Sequence, residues 1–337
     1  MRIIHVDYQQ WRRYGHNRVS WAHKLYFGLI RNNFRVQAFS DRDVAAFEGL
    51  LRIRDLGRKK CNRRLLETVD AFEPDLMILG HCDIILNETL EEIRRRRPNI
   101  VMASCNNDPL FVPRNYDNIS SRCEVVDYMF VSTGEKELHV FDGKRAKLRH
   151  MPNPVDPSVE EYDVSKQTEF DHDLIFCSHS KAFTAREKIV DHVKKGVDGE
   201  LNFATPGSYG QPVLWGRDYD RFLSQSKMCL NLNRQEGYHW YSSARIAQVV
   251  GNGLLTFTHD SGKFDEMMPE ETLVYFKDKE DLLAKVCEFH HDDAKRQHWA
   301  TRARDFFHNE INGDLFARYI VETAMEIPYS HEYAWVR

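Results

Sequence analysis

Long apolar runs are missing from this sequence. No stretch approaches the about 18 consecutive apolar residues of a membrane-spanning helix, which excludes an integral helical membrane protein. The first residues pass directly into strand-like Ile3-Ile4-His5-Val6, without the apolar core of a secretory leader. A cytoplasmic location is therefore expected, with peripheral attachment to the inner face of a membrane left open. Cysteine is sparse and unpatterned. The seven residues are odd in number and never spaced C-x-x-C, which speaks against a disulfide framework and fits a reducing compartment. No His/Cys/Asp/Glu set has zinc spacing, although His290-His291 invites the idea, so no metal is expected. The triplets Asp41-Arg42-Asp43 and Asp171-His172-Asp173 read as surface turns. There is no basic–aromatic motif, and a pI near 6.5 argues against a nucleic-acid partner. Internal repeats and low-complexity segments are absent as well.

The residues that are present describe a well-filled globular chain. At 337 residues it has room for two α/β domains, at about 150 residues each. A hydrophobic content of 42% with 12% aromatics argues against disorder. The net charge of −4 conceals an asymmetry. Residues 1–150 carry 26 Lys and Arg against 20 Asp and Glu, and the remainder carries 21 against 31. A basic first half and an acidic second half imply different partners for the two.

Strand-like and helix-like segments alternate along the chain. Strands are expected at Arg2–Tyr8, Arg35–Ser40, Leu76–Gly80, Ile100–Ser104 and Tyr128–Ser132, with periodic apolar helices between them. This predicts mostly parallel sheets with helices on both faces. Met151 to Ser158 carries three prolines in eight residues, the composition of an interdomain linker. The pattern then resumes with strands at Asp173–Ser178, Met228–Leu232 and Leu254–Thr258, and helices at Asp281–Phe289 and Ala294–His308.

One segment gathers polar chemistry. Asn231 to Thr258 reads as a strand end, a loop, a short apolar helix capped by Ser242 or Ser243, and a second buried strand. Glu236, Tyr241, Ser242, Ser243 and Arg245 cluster at the start of that helix, where free N–H groups and a guanidinium suit an anion. Lys181 and Arg186 follow the first strand of the second half, where open α/β sheets place ligands. The plain alternatives are a surface salt bridge for Arg245, solvated cations for Lys181 and Arg186, and a loop acid for Glu236.

Arg245-Ile-Ala-Gln248-Val-Val-Gly-Asn-Gly253 resembles the donor-site helix of GT-B glycosyltransferases, in particular the CgeB-like members of glycosyl transferases group 1. Phe72-Glu-Pro-Asp75, Asn107-Asp108-Pro109, the proline-rich segment and Phe176-Cys-Ser178 with Arg186 extend the resemblance over most of the chain. It implies an α/β chain with two Rossmann-like doubly wound domains facing each other across a cleft. Residues 1–152 would bind acceptor, residues 153–312 a nucleotide sugar, and residues 313–337 would form a helical tail crossing back to the first domain.

The resemblance further implies a nucleotide-sugar donor as substrate and a glycan or glycolipid acceptor, as in surface polysaccharide or lipopolysaccharide assembly. Donor contacts would come from Lys181, Arg186, Glu236, Tyr241, Ser242, Ser243, Arg245 and Gln248. Gln248 stands where the family usually has glutamate, and Trp240 occupies the position of the other acid in the E-x7-E pair of retaining relatives. Metal-independent transfer with inversion is therefore the expected chemistry. Asp108 is the first candidate for the base and His16 the second; as plain alternatives they are a turn residue and a loop histidine. Two other readings stay open on the same scaffold: a non-catalytic nucleotide-sugar-binding protein of envelope or spore assembly, and an epimerase. The arginine-rich stretches at 58–64 and 94–97 read as solvated faces, or as surfaces for anionic lipid or glycan.

Overall fold

The computed structural model describes residues 1–11, 21–179 and 184–336. It divides into two compact units, one formed by Met1–Pro152 with Gly313–Arg337 and the other by Asn153–Asn312. Each is an α/β unit around one parallel sheet.

The first unit runs β1 (Arg2–Val6), α1 (Trp21–Arg31), β2 (Arg35–Phe39), α2 (Asp41–Glu48), α3 (Arg58–Phe72), β3 (Leu76–Leu79) and α4 (Asn87–Arg96). It continues through β4 (Val101–Asn106), α5 (Pro113–Arg122), β5 (Tyr128–Val131) and β6 (Lys147–His150). The second unit contains β7 (His172–Ile175), α6 (Ala185–Gly196), β8 (Phe203–Ala204), α7 (Gly216–Ser224), β9 (Ser226–Asn231) and α8 (Arg245–Gly251). Then follow β10 (Leu255–His259), β11 (Val274–Phe276), α9 (Lys279–His291) and α10 (Asp293–Glu310), and α11 (Gly313–Ala324) returns to the first unit.

The sheet of the first unit has strand order β2-β1-β3-β4-β5-β6, all parallel. Alternation sends successive side chains to opposite faces. Ile4, Val6, Met77, Leu79, Met102 and Met129 meet Leu65, Leu90 and Ile119 of the covering helices in one core. On the other face Phe130 meets Tyr319 of α11 edge to face at 5.6 Å. There α1 lies against α11 at Gly28, where a Cβ would stand 2.0 Å from the Gly313 carbonyl oxygen. Any larger residue at Gly28 would force the two helices apart.

The second sheet repeats the plan in the order β11-β10-β9-β7-β8. Leu174, Met228, Leu230, Leu255 and Phe257 pack under Val190 and Val193 of α6 and Val286 and Phe289 of α9. In both sheets the order reverses between the first strand and the third strand in sequence, β1 and β3 in one, β7 and β9 in the other. Connections leave that point in opposite directions and open a crevice at the carboxyl ends of the strands, where ligands of doubly wound folds bind.

One expectation needs correction. Asp41-Arg42-Asp43 is no surface turn: it opens α2, and Asp41 and Asp43 are buried. Asp43 accepts from the Ser40 hydroxyl at 2.5 Å and from the Trp11 amide at 2.8 Å, so the acids fix the loop after β2. The stretch Met151–Asp156 has linker composition yet is buried throughout.

Candidate functional site

The crevice of the second unit is built around Arg245. Its Nη1 donates to the Cys177 carbonyl just past β7 at 2.9 Å. Its Nη2 donates to the Leu232 carbonyl just past β9 at 2.8 Å and to Asn231 Oδ1 at 3.1 Å, and Nε reaches the same Oδ1 at 3.3 Å. A guanidinium has five N–H donors, so four bonds leave little capacity for a ligand. Arg245 therefore braces the two strand ends across the switch point. The three acceptors of these four bonds are neutral, so its charge is left uncompensated by hydrogen bonding.

Arg186 supplies what Arg245 lacks. It sits in the first turn of α6, which starts with a reciprocal capping box between Thr184 and Glu187. That box fixes the direction in which α6 leaves the strand end. The Arg186 guanidinium lies over the Phe176 ring, 5.7 Å from its centroid. The residue is 8% exposed, its Nε is buried without a hydrogen-bond partner, and it makes no ion pair among the described residues. Burial first, and then the neighbouring Arg245, disfavour its charge. A buried cation of this kind is costly unless an anion answers it.

The remaining donor-site candidates divide. Glu236 accepts from the Asn233 amide at 2.8 Å and the Asn233 side chain at 3.1 Å, so it ties the loop after β9. Burial raises its pKa against those bonds. It also lies close enough to Arg186 and Arg245 to act on both electrostatically. Tyr241 is buried and its carbonyl accepts from Asn233 at 3.2 Å. Ser242 does not cap α8: its hydroxyl accepts from Asn231 Nδ2 at 3.0 Å and donates to the Ser243 carbonyl at 3.3 Å. Ser243 does not cap it either, since the helix begins at Arg245 after Ala244 with no side-chain cap, and the Ser243 hydroxyl is buried without a partner. The Gln248 side chain is half-buried, while its backbone carbonyl accepts from Asn252 at 2.8 Å. Lys181 lies outside the described residues. The structure thus groups Arg186, Glu236 and Arg245.

Trp240 has a structural task. It takes a left-handed φ of 53°, is buried, and its amide and indole N–H donate to Gly262 and Lys263 carbonyls at 2.7 and 2.9 Å. The ring stacks on His239 at 4.5 Å. A carboxylate is thereby replaced by an anchor for the loop after β10.

The crevice of the first unit holds a second polar group. Asp108, past the end of β4, places Oδ2 3.2 Å from Nε2 of His81, which follows β3. Asp7, past the end of β1, accepts from the His81 amide at 3.1 Å and the Tyr8 amide at 2.7 Å. The Asp108 hydrogen bond raises the pKa of His81. Burial raises that of Asp7, and it holds the neighbouring His5 neutral by lowering its pKa to about 3. His16 lies outside the described residues. His81 and Asp7 escaped the sequence reading, although a His directly after the glycine that ends a buried strand is a usable signal. Among the described residues no group of three or more His, Cys, Asp or Glu is placed to hold a metal.

Comparison with known proteins agrees with this geometry. Residues 186–322 match the family described as glycosyl transferase-like. The chain has the GT-B fold, and its part from Arg186 to Glu322 is similar to that family. Sucrose-phosphate synthase from Thermosynechococcus elongatus is similar in structure, with a TM-score of 0.64 at 11% identity over 96% of this chain and 98% of that one. HepE from Anabaena, solved in complex with UDP, has a TM-score of 0.58 at 10% identity over 97% and 100%. The β-glucosyltransferase of phage T4 has a TM-score of 0.56 at 12% identity over 97% and 100%. No curated protein matches the sequence. No helix among the described residues is long and apolar enough to cross a membrane.

Proposed function

We propose that this protein transfers a sugar from a nucleotide-sugar donor to a glycan or glycolipid acceptor, with the donor on residues 153–312 and the acceptor on the basic first unit. The observation that carries the reading is Arg186: a buried guanidinium at a switch point, without a hydrogen bond or ion pair among the described residues and next to Arg245, whose hydrogen-bond acceptors are all neutral. A diphosphate brings two charges and several acceptor oxygens, and guanidinium forks bind such oxygens in pairs. UDP bound to the Anabaena neighbour of the same fold supports the same ligand class. The role in surface polysaccharide or lipopolysaccharide assembly follows the family resemblance.

In the transfer the acceptor oxygen bonds to the anomeric carbon as the bond to the leaving diphosphate breaks. Arg186 and the charge of Arg245 stabilise the diphosphate as its negative charge grows. The acceptor proton passes to Nδ1 of His81, while Asp108 holds the Nε2–H and stabilises the imidazolium, the division of labour of His–carboxylate pairs. Asp108, the first candidate from sequence, thus acts through His81. The reaction inverts the anomeric centre and proceeds without a metal. Titration calorimetry with UDP and GDP tests the donor site: the wild type binds one of them and Arg186→Ala loses about 10- to 100-fold in affinity, the scale of a charged hydrogen bond. Equal affinity in a folded variant would refute the assignment.

The buried Trp240 favours a second reading, a nucleotide-sugar-binding protein without transfer. Release of free nucleotide only in the presence of acceptor separates the two; nucleotide held intact with every acceptor would support binding alone.

A further inference from the structure

The loop between α2 and α3 exposes what a folded chain normally hides. Leu50 and Leu51 are 72% and 83% exposed, and Phe47, Ile53 and Leu56 beside them are exposed as well. Contiguous apolar surface of this kind marks an interaction site, whereas single exposed apolar residues do not. The loop is held in this shape. Leu51 and Arg52 both take left-handed φ values, 52° and 59°, which residues with a Cβ rarely adopt. At its base a Cβ on Gly49 would stand 2.0 Å from the Ile53 carbonyl oxygen, and one on Gly57 1.7 Å from that of Ala45. The amides of Arg52 and Ile53 close back onto Gly49 and Leu50 at 3.0 Å each. The leucines are thus presented outward on a closed turn.

The surround is basic. Arg52, Arg54, Lys59 and Lys60 are exposed and make no ion pair among the described residues. Arg64 is paired with Glu48 at 2.7 Å, and Arg58 is tied to the Asp83 and Ile84 carbonyls at 3.0 and 3.3 Å. Asp83 is two residues past His81, so the loop lies at the same carboxyl-end edge of this sheet as the His81–Asp108 pair.

We infer that residues 47–60 form a docking surface for an anionic lipid bilayer. Leu50, Leu51, Ile53 and Leu56 insert into the acyl boundary, and Arg52, Arg54, Lys59 and Lys60 pair with lipid headgroups. The charge pattern selects this occupant: apolar side chains interleaved with free cations match the acyl layer beneath a layer of negative headgroups. The inference stands apart from the sugar-transfer reading, because it needs no donor, acceptor or turnover.

The test is sedimentation of the full-length protein with vesicles of phosphatidylcholine, alone or mixed with phosphatidylglycerol. Binding is expected to the mixed vesicles, much less to phosphatidylcholine alone, and to weaken with salt as exposed charges are screened. Leu50→Ser with Leu51→Ser should lower partition by about tenfold or more, and each cation changed to Ser by about fivefold. Tryptophan emission of Leu51→Trp should shift to the blue on the mixed vesicles. These side chains are exposed, so circular dichroism should show every variant folded. No binding to the mixed vesicles, equal binding to both kinds, or undiminished binding by the serine variant would overturn the inference. So would a wild-type dimer that the serine variant dissolves, since the patch would then seat a second copy.

Discussion

Arg186→Met should make the ligand-free protein more stable while weakening diphosphate binding about 10- to 100-fold. The substitution keeps most of the aliphatic stem and removes a buried charge that has no partner among the described residues and lies near Arg245. Replacing a buried ion pair by well-packed apolar groups is neutral or gains about 1–4 kcal/mol in measured cases, and a buried charge without an ion-pair partner has even less to lose. Against this stands the lost cation–π contact with Phe176, about 0.5–2 kcal/mol. A net gain of about 1 kcal/mol is expected, which raises the melting temperature by about 2–4 °C in a unit of this size. With saturating UDP or GDP the order reverses. The wild type gains about 2.7 kcal/mol at a ligand concentration of one hundred times its Kd, and a variant that binds about 10- to 100-fold more weakly gains only about 0.4–1.4 kcal/mol. Scanning calorimetry with and without nucleotide reads both effects. A variant that melts lower without ligand and keeps its nucleotide shift would refute the reasoning, because Arg186 would then be serving the fold.

Asp108→Asn should retain donor binding, lose about 10²–10⁴-fold in turnover, and move the acid limb of the pH–rate profile. In the wild type His81 acts as a base only when neutral, so its raised pKa places that limb above the ordinary imidazole value and Asp108→Asn lowers it; an unmoved limb would remove the pair from the mechanism. Turnover should survive EDTA, and full loss restored by a divalent ion would contradict the proposed electrostatics at Arg186. Asp41 has its pKa raised to about 7 by burial, so the folded state binds an extra proton between the unfolded value near 4 and 7. Stability should fall as pH rises through that window, and Asp41→Asn should flatten the fall in urea titrations at several pH values. Trp240→Ala should cost about 3–5 kcal/mol, the usual price of emptying a buried aromatic site, whereas an unchanged urea midpoint would show that the ring anchors nothing.

The doubly wound architecture was legible because β1, β3, β4, β5 and the Met228–Leu230 part of β9 are buried and mostly apolar, between periodic helices. Elements without that signature were not. β6 is the edge strand Lys147–His150, and its charged sequence suits an edge while hiding it from a hydrophobic pattern. β11 has only three residues. α2 was missed because its opening acids look like a solvated triplet, whereas the fold uses them as buried acceptors. At the site, the sequence pointed to Arg186 and Arg245 together but not to their division of labour. One braces two carbonyls and Asn231 while the other has no hydrogen-bond partner among the described residues, and only the distances separate them. His81 carried only a weak signal, its place directly after the glycine that ends a buried strand. Its pairing with Asp108 arises from two loops 27 residues apart that the parallel sheet brings to one edge.

The central claim is that the switch point between β7 and β9 holds the donor diphosphate. The most direct test is a crystal structure with UDP or GDP, whichever stabilises the protein more in a thermal-shift screen. The account predicts phosphate oxygens about 2.7–3.2 Å from the Arg186 guanidinium, beside the ends of β7 and β9. A nucleotide bound elsewhere, with Arg186 turned onto protein acceptors, would contradict it.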